Sequence, residues 1–493
     1  MKKQIIRIIA IAIISIMVIA VLPIASSATS LSTWDGSAST SFGGGDGLKD
    51  TPYLITTANE LAYLASSCNA GETYAQKYFK LTTDVDISSN PWIAIGLDAT
   101  HPFSGIFDGD GHTIAGLNIE NQADYAGLFG RCDSAVIMNF NVTGTIVKSL
   151  KYSGAFVGYG TNSTELINLT SDVDLVSGLA VGGIVGRTAS GDISSIIGCF
   201  SSSTVVGNAL GSCFAGGIVG AAGNTKISYC GNTGDVSIEQ LLSDYHLAGG
   251  IVGCQGASSA STDVDNCFNS GNIITTPSSS VYFAGGISGR ASHVDFGSVK
   301  NCFSIGTASV VWGDATEQPE GHFGGLYGNV LKLVTFENNY TSFSPVVGTD
   351  MASGPQATND NSKLITTAEI TGINAVATMG LNANMWYSVA GEIPEINFEA
   401  VYAAYLESLI PVETTVVEEE TTAVPDDTTV PTTTVNDTTV ASTTIVAGTT
   451  NAVTTESIED EGCSCGGSGI IVAAIQFIAI IGGAVTFVII KKK

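Results

Sequence analysis

Phe283-Ala-Gly-Gly-Ile-Ser-Gly289 is one copy of a phrase that returns all along the middle of the chain. The others are Ala126-Gly-Leu-Phe-Gly130, Gly154-Ala-Phe-Val-Gly158, Gly182-Gly-Ile-Val-Gly186, Gly216-Gly-Ile-Val-Gly220, Gly249-Gly-Ile-Val-Gly253 and Gly324-Gly-Leu-Tyr-Gly328. Between the closing glycines, at Gly130, Gly158, Gly186, Gly220, Gly253, Gly289 and Gly328, the steps are 28, 28, 34, 33, 36 and 39 residues. Such a period marks a repeat architecture, in which each unit buries its apolar face only by stacking on its neighbours.

The phrase is too short and too glycine-rich for a helix. Two residues before each closing glycine stands an apolar residue: Leu128, Phe156, Ile184, Ile218, Ile251, Ile287 or Leu326. A second short element follows, as Ile196-Ile-Gly-Cys-Phe200, Ile227-Ser-Tyr-Cys230, Val264-Asp-Asn-Cys-Phe268, Val299-Lys-Asn-Cys-Phe303 and Phe336-Glu-Asn-Asn-Tyr340. Both are β-branched or aromatic and bounded by Gly, Ser and Asn, which reads as strand, turn, strand. Parallel stacking at about 4.8 Å per layer then predicts an all-β chain, a parallel β-helix or β-solenoid.

These phrases resemble the GLUG repeat family of bacterial surface and secreted proteins, over roughly Thr51 to Phe398. Phe103-Ser-Gly-Ile-Phe-Asp-Gly-Asp-Gly-His-Thr-Ile-Ala-Gly-Leu117 looks like the segment that precedes such repeats. The resemblance implies surface display and adhesion, and no single reaction.

The ends point the same way. Lys2, Lys3 and Arg7 precede an apolar run, and Ser26-Ser-Ala28 offers a cleavage site, so residues 1–28 read as a signal peptide. Residues 29–45, rich in Ser and Gly, read as a disordered leader. Residues 46–119 are expected to be an α/β N-terminal cap, with a helix opening at Thr57 through a capping box with Glu60. The repeat body spans 120–345, with longer loops at Ser237 to His246 and Ile274 to Tyr282 offering variable binding surface. Residues 346–410 read as a C-terminal cap carrying a second capping box, Thr366 with Glu369, a closing strand pair and a short helix. A Thr- and acid-rich stalk follows over 411–468. Residues 469–490 are long and apolar enough for a transmembrane helix, and Lys491 to Lys493 favour a cytoplasmic tail. The expected location is therefore outside a bacterial cell, anchored in its membrane.

The two ends hold six of the 18 Lys and Arg and none of the 45 acids, so the stretch between carries 12 bases against 45 acids, a formal charge of −33. A nucleic-acid partner would need a basic footprint and is not expected. Acidity of this kind suits solubility, and calcium is the ion it would favour. Cys199, Cys230, Cys267 and Cys302 recur at one repeat position and are expected to stack as a buried structural ladder, with a Cys199–Cys230 or Cys267–Cys302 bridge left open.

No His-Glu-x-x-His, phosphate loop or nucleophile elbow occurs, and no catalytic residue, metal ligand or cofactor is assigned. Asp108-Gly-Asp-Gly-His112 reads as a glycine turn between strands, and the histidines at 101, 112, 246, 293 and 322 as loop or turn residues. Arg131, Arg187 and Arg290 each follow a closing glycine and are placed on one face, with Asp133, Asp192 and Asp295 near them. The reading favoured by the sequence is a non-catalytic surface rod that binds a polysaccharide or extracellular protein. Its rivals are a polysaccharide lyase or hydrolase built on a β-helix, and a structural spacer or surface-layer component.

Overall fold

Each glycine phrase is the hinge between two short strands, for example Ala180–Gly182 with Val185–Thr188 and Cys213–Gly216 with Val219–Ala222. In the computed structural model, each strand pairs in parallel with its counterpart one repeat later. The pairings build two narrow seven-stranded sheets, while the rest of every repeat joins a broad 23-stranded sheet. The structure describes residues 31–409 except 121–123, 150, 209–211, 240–245, 258–260, 277–281, 292–296, 311–322, 331–333 and 347–361. The segments read as signal peptide, stalk, membrane anchor and tail lie outside the described residues, among which no helix is long and apolar enough to cross a membrane.

The chain is thus mostly β with long parallel sheets, consistent with a β-helix. Register is kept from repeat to repeat. Phe129, Val157, Val185, Val219, Val252, Ser288 and Tyr327 form one column along the second narrow sheet. The apolar residues before the closing glycines, Leu128, Phe156, Ile184, Ile218, Ile251, Ile287 and Leu326, are all 0 % exposed. Burying a side chain of this size contributes roughly 1.5–3 kcal/mol, and here each is covered by the coils above and below it.

Two glycine positions show why the phrase is fixed. A Cβ on Gly186 would lie 2.5 Å from the Ser153 amide nitrogen, because the closing glycine rests against the backbone of the preceding coil. A Cβ on Gly250 would lie 2.1 Å from the Gly286 carbonyl oxygen and 2.2 Å from Asn269 Cγ, across the coil. That second contact meets an internal polar column, Ser171, Ser201, Asn232, Asn269, Ser304 and Thr341. The column hydrogen-bonds to itself in part, with Asn232 Nδ2 donating to Asn269 Oδ1 and Asn269 Nδ2 to the Gly271 carbonyl, each at 2.8 Å, so these buried amide donors are satisfied.

At the N-terminal end the leader departs from expectation. From Leu31 it is ordered. Ser32–Thr33 pair in parallel with Val85–Asp86, Trp34 packs edge-on against Trp92 at 5.4 Å, and Phe42 sits 5.3 Å from Phe79. Two aromatic anchors, Trp34 and Phe42, outweigh a Ser/Gly composition that by itself favours disorder. The expected cap over 46–119 is also part of the stack: Tyr53–Ile55 pair with Phe79–Leu81, Tyr78–Lys80 with Ile106–Asp108, and Ile106–Asp108 with Val136–Met138, all parallel. Helix α1 (Ala58–Asn69) starts at Thr57, whose hydroxyl accepts from the Glu60 amide while the Glu60 carboxylate accepts from the Thr57 amide. It buries Leu61, Leu64 and Cys68 on one face.

The C-terminal segment departs further. Helices α2 (Thr367–Ile370) and α3 (Ala375–Thr378), the antiparallel pair Trp386–Tyr387 with Glu395–Ile396, and α4 (Phe398–Ser408) do not only close the last coil. They run back along the flank of the broad sheet. Trp386 packs 5.6 Å from Phe303 and 6.1 Å from Phe268, Phe398 packs 6.1 Å from Phe200, and Tyr405 donates to Glu165 Oε2 at 2.7 Å. Tyr402 at the same end lies near Asp108 and Asp110; burial, reinforced by those carboxylates, pushes its phenol up to about 12. The reason is an outward aromatic stripe, Phe200, Phe268, Phe303 and Tyr340, which would otherwise face water.

Candidate functional site

Two corners of the coil gather polar or reactive side chains in columns. The first lies under the C-terminal flank. Ile197 pairs with Ser228 and Phe200 with Gly231, which sets Cys199 over Cys230, and the same register sets Cys230 over Cys267 and Cys267 over Cys302. All four are 0 % exposed and carry free thiols. Desolvation raises the Cys199 and Cys267 thiols well above their ordinary value, so they stay protonated and unreactive. The Cys267 amide donates to Cys302 Sγ at 3.4 Å, and the next layer substitutes Asn339, whose Oδ1 accepts from the Cys302 amide at 3.0 Å.

Beside the thiols runs a column the sequence reading missed. Asn139, Asn168, Gly198, Tyr229, Asn266, Asn301 and Asn338 all have left-handed backbone, with φ between 51° and 64°. Asparagine tolerates that region best among side-chain-bearing residues. Their amides also link layers: Asn168 donates to Asn139 at 3.0 Å, Asn301 to Asp265 at 3.0 Å and Asn338 to Asn301 at 2.9 Å. The signal was present in the repeated Asn-Cys pairs. This corner is structural.

The second corner is the elbow between the two narrow sheets. Strand alternation sends Ala126, Val181, Ala215 and Ala248 into the core and leaves their neighbours on the other side. On the first sheet that outer column reads Tyr125, Tyr152, Ala180, Phe214, Leu247 and Phe283. On the second it reads Arg131, Tyr159, Arg187, Ala221, Cys254, Arg290 and Asn329. The two columns converge. Tyr159 lies 5.8 Å from Tyr125 and 5.2 Å from Tyr152. The Arg131 guanidinium lies 4.9 Å from the Tyr159 ring centre, and that of Arg187 lies 5.3 Å from Tyr152 and donates to its hydroxyl at 2.7 Å. Each guanidinium–ring contact is worth about 0.5–2 kcal/mol, rising as water is excluded.

Arg131, Arg187 and Arg290 thus share a face; the first two are joined through Tyr159, and Arg290 lies three layers beyond Arg187, past Ala221 and Cys254. Arg187 is buried while Tyr125, Arg131 and Tyr159 are half-exposed, so the accessible part of the elbow is its N-terminal third. Of the acids expected near the arginines, Asp133 accepts from Asn162 and from the Ser134 hydroxyl, Asp192 is exposed at a turn, and Asp295 lies outside the described residues.

The Asp108-to-His112 stretch is a turn between strands Ile106–Asp108 and Thr113–Glu120. Asp108 accepts from the Asp110 amide, Asp110 pairs with Lys80 at 2.9 Å, and His112 Nδ1 lies 3.1 Å from Asp84. His101 is hydrogen-bonded to Asp98 at 2.9 Å, His246 is buried, and His293 and His322 lie outside the described residues. Among the described residues no group of three or more His, Cys, Asp or Glu gathers in a way that could hold a metal ion. Of the loop expected from Ser237 to His246, the first residues belong to strand Val236–Glu239 of the broad sheet and the last opens strand His246–Gly249 of a narrow one.

No family model matches the chain. It is 33% identical over 168 residues to halomucin of Haloquadratum walsbyi, a match that covers 31% of this chain and 2% of that protein. It is 30% identical over 197 residues to a protein of Evansella cellulosilytica provisionally named a Gly-rich membrane protein, covering 31% of this chain and 22% of the relative. The chain therefore spans less than a quarter of either curated relative. The crystal structure of a Bacteroides ovatus protein, provisionally named an immunoglobulin A1 protease, matches 72% of this chain and 95% of its own at 22% identity, with a TM-score of 0.47.

Proposed function

We propose that this chain is a GLUG-type repeat rod displayed at a bacterial membrane or surface, where it binds an extended polysaccharide without turning it over. The observation that carries the reading is the elbow, where Tyr125, Arg131 and Tyr159 present ring faces and a guanidinium in register along the stack. Flat rings receive sugar faces, and a guanidinium held between them supplies directed donors. Parallel coils repeat such contacts along one wall, so weak subsites add through multivalency. The relatives named as halomucin and a Gly-rich membrane protein agree with a surface or membrane location.

The test is an array of glycans and extracellular proteins probed with the full chain, followed by product analysis of every glycan retained. Retention that falls about ten-fold in Arg131→Ala and Tyr159→Ala, with intact glycan recovered, is the expected result. Cleaved glycan would favour the catalytic rival. Retention of proteins alone would move the ligand class to an extracellular protein.

A further inference from the structure

A concavity of about 470 Å³ opens in the first coils, remote in sequence from the elbow and lined in part by Phe42, Tyr53, Tyr63, Tyr74, Ser67 and Glu72. Its size falls within the range of roughly 300–1,000 Å³ usual for small-ligand sites. Phe42 comes from the leader that composition assigned to disorder, Tyr53 from the first strand of its wall, Tyr63 from the half-exposed side of α1, and Tyr74 from the loop that follows.

The rings stand as walls. Phe42 lies 4.9 Å from Tyr63 and 6.0 Å from Tyr74, at interplanar angles of 61° and 68°, and Tyr53 meets Tyr74 at 77°. A sugar ring stacks best on a flat platform, whereas rings set at steep angles can turn π faces to one compact group from several sides. The loop is held in a disfavoured shape to achieve this. Tyr74 has φ 57° and Gln76 φ 61°, a region that bulky residues avoid. The Tyr74 amide donates to Glu72 Oε1 at 3.1 Å, and its hydroxyl is hydrogen-bonded to Ser67 Oγ at 2.7 Å. Burial pushes the Tyr74 phenol up to about 12, which keeps it neutral.

Charge selects the occupant. The only charged lining residue is Glu72, which is exposed, and the whole chain carries a formal charge of −27. Lys77 does not line the cavity; its ammonium donates to the Asp46 carbonyl at 3.2 Å and lies 5.9 Å from the Tyr53 ring centre, so among the described residues Tyr63 and Tyr74 are the lining tyrosines without a resident cation. Aromatic faces are electron-rich and attract cations, most strongly those with weakly hydrated alkylated heads. We propose that this cavity binds a methylated ammonium group of the choline type, with Phe42, Tyr53, Tyr63 and Tyr74 around the head and Glu72 as its counter-charge. This inference does not depend on the elbow or on its ligand.

The test is calorimetric titration of the full chain, held in a neutral detergent, with choline and with its uncharged isostere 3,3-dimethylbutan-1-ol. Choline is expected to bind about ten-fold more tightly than the isostere. Tyr63→Ala should weaken choline by about ten-fold, Tyr63→Phe should leave it within about two-fold, and Glu72→Gln should weaken choline but not the isostere. Displacement of choline by glycerophosphocholine or by phosphatidylcholine nanodiscs then distinguishes a soluble source from a lipid head group. Equal affinity for the two probes, no heat with choline, or unchanged choline binding in a folded Tyr63→Ala variant would overturn the proposal. So would binding of a neutral oligosaccharide that Tyr63→Ala abolishes.

Discussion

The corner lined by cysteines and asparagines and the elbow lined by tyrosines and arginines are built on the same coils, yet they use repetition in opposite ways. In the first, like residues stack on like, and the chain's own C-terminal segment roofs the outward aromatic stripe beside them. In the second, the column changes chemistry after Arg187, from arginine and tyrosine to Ala221 and Cys254, and its first layers stay half-exposed. Uniform columns satisfy hydrogen bonds and volume at every layer, which is a stability device. A column that varies and stays open has been released from that constraint, and surface of that kind is free to recognise a ligand.

The sharpest way to break this contrast is Trp386→Ala, which removes the ring packed against both Phe268 and Phe303. It should destabilise the flank by about 3–5 kcal/mol, seen as rapid proteolysis within residues 362–409 while the coils persist. Unchanged protection would mean that the flank is held elsewhere. Gly250→Ala should lower the unfolding free energy by about 2–3 kcal/mol in denaturant titration, because its Cβ collides with the Gly286 backbone. Asn301→Ala should cost about 2 kcal/mol, since it loses the amide contacts to Asp265 and Asn338 and places alanine in left-handed backbone. Arg131→Ala at the elbow should shift stability by less than about 1 kcal/mol while weakening glycan retention, the inverse of the asparagine result.

The smallest effect is set by pH. Burial lowers the His246 pKa below its ordinary value, so the unfolded chain takes up a proton that the folded chain refuses. Its contribution to stability is therefore present above the ordinary histidine range and is lost as pH falls through it. Thermal midpoints should drop between about pH 7.5 and 5.5, and His246→Phe should flatten that slope. An equally steep slope in the variant would assign the effect to other groups.

Much of the repeat was legible because its causes are local and periodic. The column Leu128 to Leu326 and the strands around each glycine phrase follow from spacing, and the cap at Thr57 from two residues. The asparagine column was visible in the repeated Asn-Cys pairs, but its meaning depends on a backbone angle that composition does not reveal. The leader was misread because Ser and Gly dominate its composition, while two aromatic residues, Trp34 and Phe42, decide its packing.

By itself, the sequence determined the periodicity, the parallel register and the buried thiols, since a phrase repeated seven times can satisfy its apolar faces only by stacking. Tertiary structure alone decided that residues 367–408 lie along the flank, that Tyr125, Arg131 and Tyr159 meet at an elbow, and that Phe42 closes a ring of tyrosines. The reason is distance along the chain. Tyr405 reaches Glu165 across 240 residues, and no local pattern encodes a contact whose partners are chosen by shape and burial after the coils have formed.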